Sequence, residues 1–307
     1  MKTHSGTRRT NERKNDPVSL LMLIASTLIF GSIGIFRRYI PLTSAMLACF
    51  RGFSGALFLL LYLKLRGRKL RHNVSAGKVF CMAAAGAAMG INWILLFEAY
   101  NYTTIATATL CYYMEPTIVI LVSPLIFKEK LTGKRLICAA LSIAGMILVS
   151  GIAESGIPTA AESKGIVFGL GAALLYALVV ILNKKLPGID AYEKTIIELL
   201  SAAAVLLPYI ILTENISAVS LDAVSIIMLL TVGLIHTGIA YALYFGSMDG
   251  LKTQSIAILS YIDPVTALCL SAIILHEKLS LAGLIGAALI LASAVFGEIE
   301  TQREDGT

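Results

Sequence analysis

Long apolar stretches, separated by short polar segments, run through nearly the whole chain of 307 residues. A hydrocarbon core of roughly 30 Å requires about 20 apolar residues per helix, and windows of that length recur along the sequence. The separators carry residues typical of helix ends, and none is long enough for a soluble domain. The pattern predicts an all-α polytopic membrane protein with ten transmembrane helices, at residues 18–36, 41–63, 76–97, 104–127, 133–151, 164–183, 191–213, 223–246, 252–275 and 280–298.

Composition agrees with this class of protein. Hydrophobic residues make up 57% of the chain and charged residues 14%, and the mean hydropathy is +0.82. Such a chain has too little polar surface to enclose a soluble core of this size. Residues 1–17 are polar and basic and lack the cleavage site of a secretory signal, so we expect the first helix to remain in the mature protein.

Lysine and arginine concentrate on one side of the predicted helices. The opposite side carries only Arg37, Arg38, Lys164 and Lys278. Because cytoplasmic loops are enriched in both residue types, we expect both termini in the cytoplasm and the protein in the cytoplasmic (inner) membrane. This topology accounts for the sequence pI near 9.0 without a nucleic-acid partner. The cations of the predicted cytoplasmic side are Lys2, Arg8, Arg9, Arg13, Lys14, Lys64, Arg66, Arg68, Lys69, Arg71, Lys78, Lys128, Lys130, Lys134, Arg135, Lys184, Lys185, Lys194, Lys252 and Arg303.

The two halves of the chain repeat each other at an offset of 148 residues. The informative matches are Gly90 with Gly238, Phe97 with Phe245, Tyr113 with Tyr261, Pro116 with Pro264, and "EKL" at 129–131 with "EKL" at 277–279. Because each half has an odd number of helices, the second repeat is inverted in the membrane relative to the first. The chain then divides into a cytoplasmic basic tail (1–17), a first five-helix repeat (18–151), an extracytoplasmic linker (152–163), a second five-helix repeat (164–298) and a cytoplasmic tail (299–307).

Each half carries an acid followed by a proline inside an apolar helix. These pairs are Glu115 with Pro116 and Asp263 with Pro264. An ionised group at the bilayer centre costs about 2.5 to 3.5 kcal/mol, so it requires a partner, a cavity or a proton. Proline removes one helical hydrogen bond, and irregular backbone at this depth is tolerated only beside protein or water. Two broken helices beside a cavity are therefore predicted.

Several of these features together resemble a known family. The ten spans, the duplication, Arg51 within the second helix, and the prolines followed by "KEKLTGKRLICAALSIAGMILVSG" and "HEKLSLAGLIGAALILASAV" resemble the EamA-type transporters of the drug/metabolite transporter superfamily. The resemblance covers about 18–298, and it makes both five-helix repeats EamA-like. It implies a carrier of amino acids or other small metabolites, often an exporter, with its substrate site in a central cavity between the halves.

We therefore expect a secondary transporter that moves a small metabolite, such as an amino acid or an amine, by alternating access, with export as the expected direction. No cofactor and no metal are expected, because the five cysteines form no CxxC pair and have no histidine at ligand spacing. Catalytic and nucleotide-binding motifs are absent from the sequence. An intramembrane enzyme, or a structural or receptor-like membrane protein that transports nothing, is the alternative class.

Substrate contacts are predicted for the two acids and for polar aromatic side chains at midplane depth. Tyr and Trp there bring hydrogen-bond donors that need partners, unlike Phe, although bonds between helices would satisfy them equally well. The acids could likewise be structural. The predicted substrate-binding residues are Asn92, Trp93, Tyr112, Glu115, Tyr176, Tyr241, Tyr244, Tyr261 and Asp263.

Proton coupling is a further candidate role for titratable groups within the helices. The candidates are Glu115, Glu198, His236 and Asp263, and a packing role for the histidine is the alternative. Facilitated diffusion would require none of them to titrate. Arg51 is given a structural or gating role, with Pro116 and Pro264, and its partner could be Glu198, Glu115 or a substrate carboxylate.

Small residues are concentrated in 81–90, 169–177 and 282–294, which predicts close helix packing. The sequence leaves open whether these faces pack within one chain or form a homodimer. Glu129 and Glu277 of the duplicated "EKL" segments are expected to be structural. Each is predicted to cap the following helix and to pair with the adjacent base.

Overall fold

The computed structural model describes residues 16–68, 74–127, 132–150, 158–216, 219–248, 250–251, 253–278 and 280–305. Within these ranges all regular structure is helical, which confirms the all-α class. Residues 1–15 of the predicted basic tail, residues 152–157 of the predicted linker and the whole of the first "EKL" segment at 129–131 lie outside the described residues.

Thirteen α-helices and one π-helix make up the described part of the chain. Seven segments there are long and apolar enough to cross a membrane, and two shorter apolar helices cover Ile258–Ile274 and Leu281–Phe296. The helices are α1 (Pro17–Arg37), α2 (Ser44–Leu65), α3 (Ala76–Tyr102), α4 (Ile105–Tyr112), α5 (Glu115–Phe127), α6 (Gly133–Val149), α7 (Ala160–Lys184), α8 (Ala191–Thr213), α9 (Ala223–Leu230), the π-helix (Thr231–Ile239), α10 (Ala240–Met248), α11 (Thr253–Ser260), α12 (Ile262–Ile274) and α13 (Leu281–Asp305).

Polar side chains define where several helices begin. The Thr159 hydroxyl accepts from the Glu162 amide at 3.2 Å, and the Glu162 carboxylate accepts from the Thr159 amide at 2.9 Å, which is a capping box at the start of α7. Asp190 accepts from the amides of Tyr192 and Glu193 at the start of α8. These caps satisfy amides that have no partner inside the helix.

Both acid–proline pairs lie where a helix is interrupted, as predicted. The helix predicted over 104–127 divides into α4 and α5, and the one predicted over 252–275 divides into α11 and α12. The predicted helix over 223–246 is also irregular, which the sequence did not indicate. It contains the π-helix, where the Thr237 hydroxyl donates to the carbonyl of Val232 at 3.1 Å, five residues earlier.

The two halves of the chain are interleaved. Helix α1 packs against α10 and α12 of the second half, and α7 packs against α3, α4 and α5 of the first. Helices α2 and α3 pack against α8, and α6 packs against α13. Each broken helix therefore lies beside the first helix of the opposite half, so a cavity at the breaks is bounded by both halves.

Small residues let the halves approach closely. A Cβ at Gly145 of α6 would lie 2.7 Å from the carbonyl oxygen of Gly286 in α13, and the hydroxyls of Ser142 and Ser293 are 2.5 Å apart. A Cβ at Gly86 of α3 would overlap the backbone of α8. Lipid tails contact apolar side chains as favourably as another helix does, so the hydrophobic effect does not hold helices together in a bilayer. Close packing does so instead. These contacts of the small-residue faces lie within one chain.

Candidate functional site

A cavity of about 600 Å³ lies between the two halves, beside both broken helices. This volume lies within the range typical of small-molecule sites. Most of the predicted site residues line it, so the fold brings together side chains that are far apart in sequence. Those residues are Tyr112, Glu115, Pro116, Tyr176, Glu198, Tyr241, Tyr244, Tyr261 and Asp263.

The two acids face this cavity from the starts of helices. Glu115 is the first residue of α5, and Asp263 is the second residue of α12. A carboxylate at a helix N-terminus is favoured by the partial positive charge of the free amides. The Tyr113 hydroxyl of the first half donates a hydrogen bond to the Asp263 carboxylate of the second. The two breaks are therefore in direct contact.

Aromatic rings form a nearly continuous wall around the acids. The ring centroids of Tyr112 and Tyr176 are 5.4 Å apart, those of Tyr112 and Tyr113 5.8 Å, and those of Tyr113 and Tyr261 6.2 Å. On another side of the cavity, Phe30 of α1 lies 5.3 Å from Tyr241 of α10. These spacings are typical of interacting aromatic pairs.

Basic residues line the cavity at one end of the bundle. Arg135 lies in the first turn of α6, Lys194 in the first turn of α8, and Lys184 is the last residue of α7. Those helix ends lie on the same side, so the cavity extends from the acids to a cationic rim. Charge is thus separated along its length, with carboxylates deep in the bundle and cations at its edge.

The opposite end of the bundle is held by polar contacts between the halves. Glu277, which follows α12, accepts from the amide of Ile105 at 3.0 Å and pairs with Arg38 at 3.2 Å. Its carboxylate also accepts from the Ser271 hydroxyl. His276 has a φ of 55°, in the left-handed region, and this turn directs the chain from α12 toward α4.

This arrangement corrects the expectation for the second "EKL" segment. Glu277 was expected to cap the following helix and to pair with Lys278, but it caps α4 and pairs with Arg38 instead. The following helix, α13, is capped by Ser280, whose hydroxyl accepts from the amide of Gly283 at 3.0 Å. The sequence could not show this, because the partners lie more than 170 residues away.

Arg51 lies outside the lining of the cavity, in the packed region between α2, α3 and the π-helix. Its side chain is buried, its Nε donates to the Thr237 hydroxyl at 3.1 Å, and its guanidinium lies 4.2 Å from the centre of the Trp93 ring. No ion pair joins Arg51 to Glu198 in the described part of the chain. The ring faces stabilise the cation in place of a carboxylate.

Pro264 is buried in α12 and does not line the cavity, and three further predicted residues also lie away from it. Trp93 packs against Arg51, and the Asn92 amide donates to the carbonyl of Ala172 at 2.5 Å. His236 is 2% exposed, with its ring nitrogens 2.9 Å from the Ser32 hydroxyl and 3.3 Å from the carbonyl of Thr231. All three lie in the packed interior, where their contacts are with protein.

Glu198 lines the cavity nearer the cationic rim. Its carboxylate is hydrogen-bonded to Asn183 of α7, and one of its oxygens is buried without a hydrogen-bond partner. The backbone of α8 at Glu198 lies against Gly86 of α3, so this region is tightly packed. A buried acceptor that lacks a donor is suited to a proton or to a donor from a substrate.

Sequence reasoning missed several residues of the cavity wall. Phe30, Phe245 and Asn183 line it, yet no acid or proline lies beside them in the chain. Phe245 did carry a signal, because it matches Phe97 in the repeat. Phe30 carried none, since its place depends on α1 packing across the boundary between the halves.

Known proteins resemble this chain over nearly its whole length. The EamA-like transporter family matches residues 18–151 and 163–296. An uncharacterized transporter, YxxF, of Bacillus subtilis (strain 168) is 28% identical over 94% of this chain and 92% of its own. The protein RarD of Escherichia coli (strain K12) is 25% identical over 74% of this chain and 75% of its own.

The fold also has a counterpart among solved structures. One crystal structure of a protein superposes with a TM-score of 0.66, at 19% identity, over 93% of this chain and 98% of its own. At that identity the likeness concerns the fold alone. The two family matches show the family. The chain belongs to the EamA-like transporter family, and it is a multi-pass membrane transporter with that family's two repeats.

Proposed function

We propose that this protein is a secondary transporter that exports a small metabolite through the cavity between its halves by alternating access. In this proposal ten segments cross the cytoplasmic membrane, and both termini are in the cytoplasm. The observation that carries it is the cavity itself, which reaches one end of the bundle and is separated from the other end by contacts between the halves.

The cationic rim supports the direction of opening. Arg135, Lys184 and Lys194 all lie on the side that the positive-inside rule assigns to the cytoplasm. The cavity then receives substrate from the cytoplasm in this conformation. An exporter must load from that side, so the conformation fits the first step of export.

The opposite end is closed by contacts that can break at low cost. The Arg38 side chain is 52% exposed, and exposed ion pairs are worth about 0.2 to 1 kcal/mol. When the ends of α1 and α12 move away from α4, water can solvate the released groups. Alternating access requires such an end, closed in one state and open in the other.

The acids provide the chemistry of the site. Asp263 and Glu115 can each bind a substrate ammonium or a proton, and Glu198 can take part in proton transfer between them and the rim. A carboxylate within a bilayer is stabilised by the cation bound to it, whether a proton or a substrate ammonium. Exchange of a proton for a substrate at such a site couples their movements.

Counterflow in proteoliposomes tests the proposal. The wild type and the variants Asp263→Asn and Glu115→Gln are supplied with radiolabelled amino acids and amines, with and without a pH gradient. Glu214→Gln is the matched control, because it changes an acid that does not line the cavity. We expect counterflow that depends on a cavity acid and accumulation that depends on the gradient. Absence of flux for every compound would contradict the proposal, and flux that survives both substitutions would remove the acids from it.

A further inference from the structure

We infer that the cavity selects organic monocations, that is, amines without a carboxylate, and that it holds the positive end beside Asp263 among tyrosine rings. The inference rests on the proposed transport function and adds the class of substrate. It comes from three features of the cavity: the position of its charges, its aromatic rings, and the positions of the two buried cations, Arg51 and Arg135.

The charges of the cavity are arranged for a cation at its inner end. Asp263 and Glu115 lie at the helix breaks, whereas Arg135, Lys184 and Lys194 lie at helix ends. A substrate that enters past the rim meets acids at the inner end. The carboxylate of an acidic metabolite would lie beside acids there, and like charges in a site of low dielectric repel each other.

Tyrosine rings suit the same ligand. Six tyrosines line the cavity, and the rings of Tyr113 and Tyr261 lie 6.2 Å apart beside Asp263. The negative face of an aromatic ring attracts a cation within about 6 Å, and alkylated ammonium groups are recognised in this way. A cage of several rings with one acid binds such a group without ordering many hydrogen bonds.

Two buried cations lie near the cavity, and neither lines its inner end. Arg51 does not line the cavity, and its guanidinium is engaged by the Trp93 ring and by Thr237. Arg135 is buried and lines the cavity, but it lies in the first turn of α6, beyond the far end of α5, a helix roughly 20 Å long that begins at Glu115. A zwitterion bound with its ammonium group beside Asp263 would have to reach the rim to pair its carboxylate. An amine needs no second partner, so the arrangement favours amines over short amino acids.

Equilibrium binding of two probes of equal shape tests the inference. Choline and its neutral isostere 3,3-dimethyl-1-butanol differ in the charge on one atom, and isothermal titration of the purified full chain measures both. We expect choline to bind about 10-fold more tightly, in line with the strength of a desolvated cation–π contact. Equal affinity for the two probes, or tighter binding of the neutral one, would overturn the inference.

Two substitutions at Tyr113 distinguish the contribution of its ring to binding from that of its hydroxyl. Tyr113→Leu should weaken choline binding about 5-fold. Tyr113→Phe should retain more of the binding, because it keeps the ring. Tyr209→Leu, at a tyrosine outside the cavity, should change nothing. Thermal unfolding in detergent establishes that each variant is folded, and equal loss in the Leu and Phe variants would contradict a role for the ring face.

Transport assays on the same samples keep the two proposals distinct. Choline that binds, with no exchange of choline or of any amino acid or amine across the membrane, would refute the transport function and leave the site intact. Counterflow of amino acids that choline does not inhibit would refute the cation site and leave transport intact. Choline counterflow that is lost in Asp263→Asn and kept in Glu214→Gln would support both.

Discussion

The two broken helices share one sequence motif but differ in their surroundings. Between α4 and α5 the chain passes through two residues, Tyr113 and Met114, whereas a single residue, Tyr261, separates α11 from α12. Pro264 is buried and Pro116 is only partly so. A shared acid–proline pair therefore fixes where a helix breaks, and the neighbouring helices decide how each acid is held.

The two breaks therefore contribute different side chains to the same site. The first break supplies Tyr113, whose hydroxyl donates to Asp263 of the second. Glu277, which follows the far end of α12, accepts from the amide of Ile105 at the start of α4. Helices α4 and α12 are thus joined at two places: at the breaks and at their ends away from the breaks.

The largest expected effect on substrate flux comes from removing the charge of Asp263. Removing the charge of Glu115 should have a smaller effect. Asp263→Asn keeps an acceptor for Tyr113 but removes the charge, and we expect substrate flux to fall about 100-fold, since a hydrogen bond to a charged group is worth roughly 1.5 to 3 kcal/mol. Glu115→Gln should lower substrate flux about 10-fold. Initial rates of counterflow measure both, and a larger loss in Glu115→Gln would reverse the assignment of roles.

A second contrast concerns the packing around the breaks. In Gly31→Ala of α1, the new Cβ would lie 2.7 Å from the Cβ of Thr266 in α12 and would overlap the carbonyl of Asp263. We expect a loss of about 1 to 3 kcal/mol in stability, as for other overpacked cores. Gly169→Ala, whose Cβ would meet that of Cys111 at 2.7 Å, tests the first break in the same way.

The control for both glycines is Gly77→Ala in α3, where a Cβ would meet no atom within 4 Å. Alanine favours a helix over glycine by about 1 kcal/mol, so this control should be neutral or slightly stabilising. Thermal unfolding in detergent compares the three variants. If Gly31→Ala behaved like the control, α1 would not be packed against the second break.

A smaller effect is expected from the hydroxyl that joins the breaks. Tyr113→Phe removes the donor to Asp263 and keeps the ring. Because a net hydrogen bond is worth about 1 kcal/mol, we expect substrate flux to fall roughly 5-fold. Initial rates of counterflow measure the effect. Tyr209→Phe, outside the cavity, should leave the rate unchanged.

Much of this fold could be predicted from the sequence, because a bilayer tolerates few arrangements of the backbone. The helical class and both breaks followed from apolar length and from proline. The π-helix did not, since His236 and Thr237 lie in an ordinary apolar run and their i to i−5 contacts leave no pattern. The partners of Arg51 and Glu277 were also missed, because they depend on which helices of opposite halves meet.

The smallest effect is expected where Glu277, after the end of α12, contacts the start of α4. Glu277→Gln loses the charge that pairs with Arg38 but keeps an acceptor for the Ile105 amide, so we expect a loss of less than about 1 kcal/mol. Glu277→Ala removes both contacts and leaves a helix amide without its cap, which costs about 1 kcal/mol more. Hydrogen–deuterium exchange of the first turn of α4 should therefore be faster in the Ala variant than in the Gln variant. Equal exchange in the two would mean that the ion pair, and not the cap, holds this end of the bundle closed.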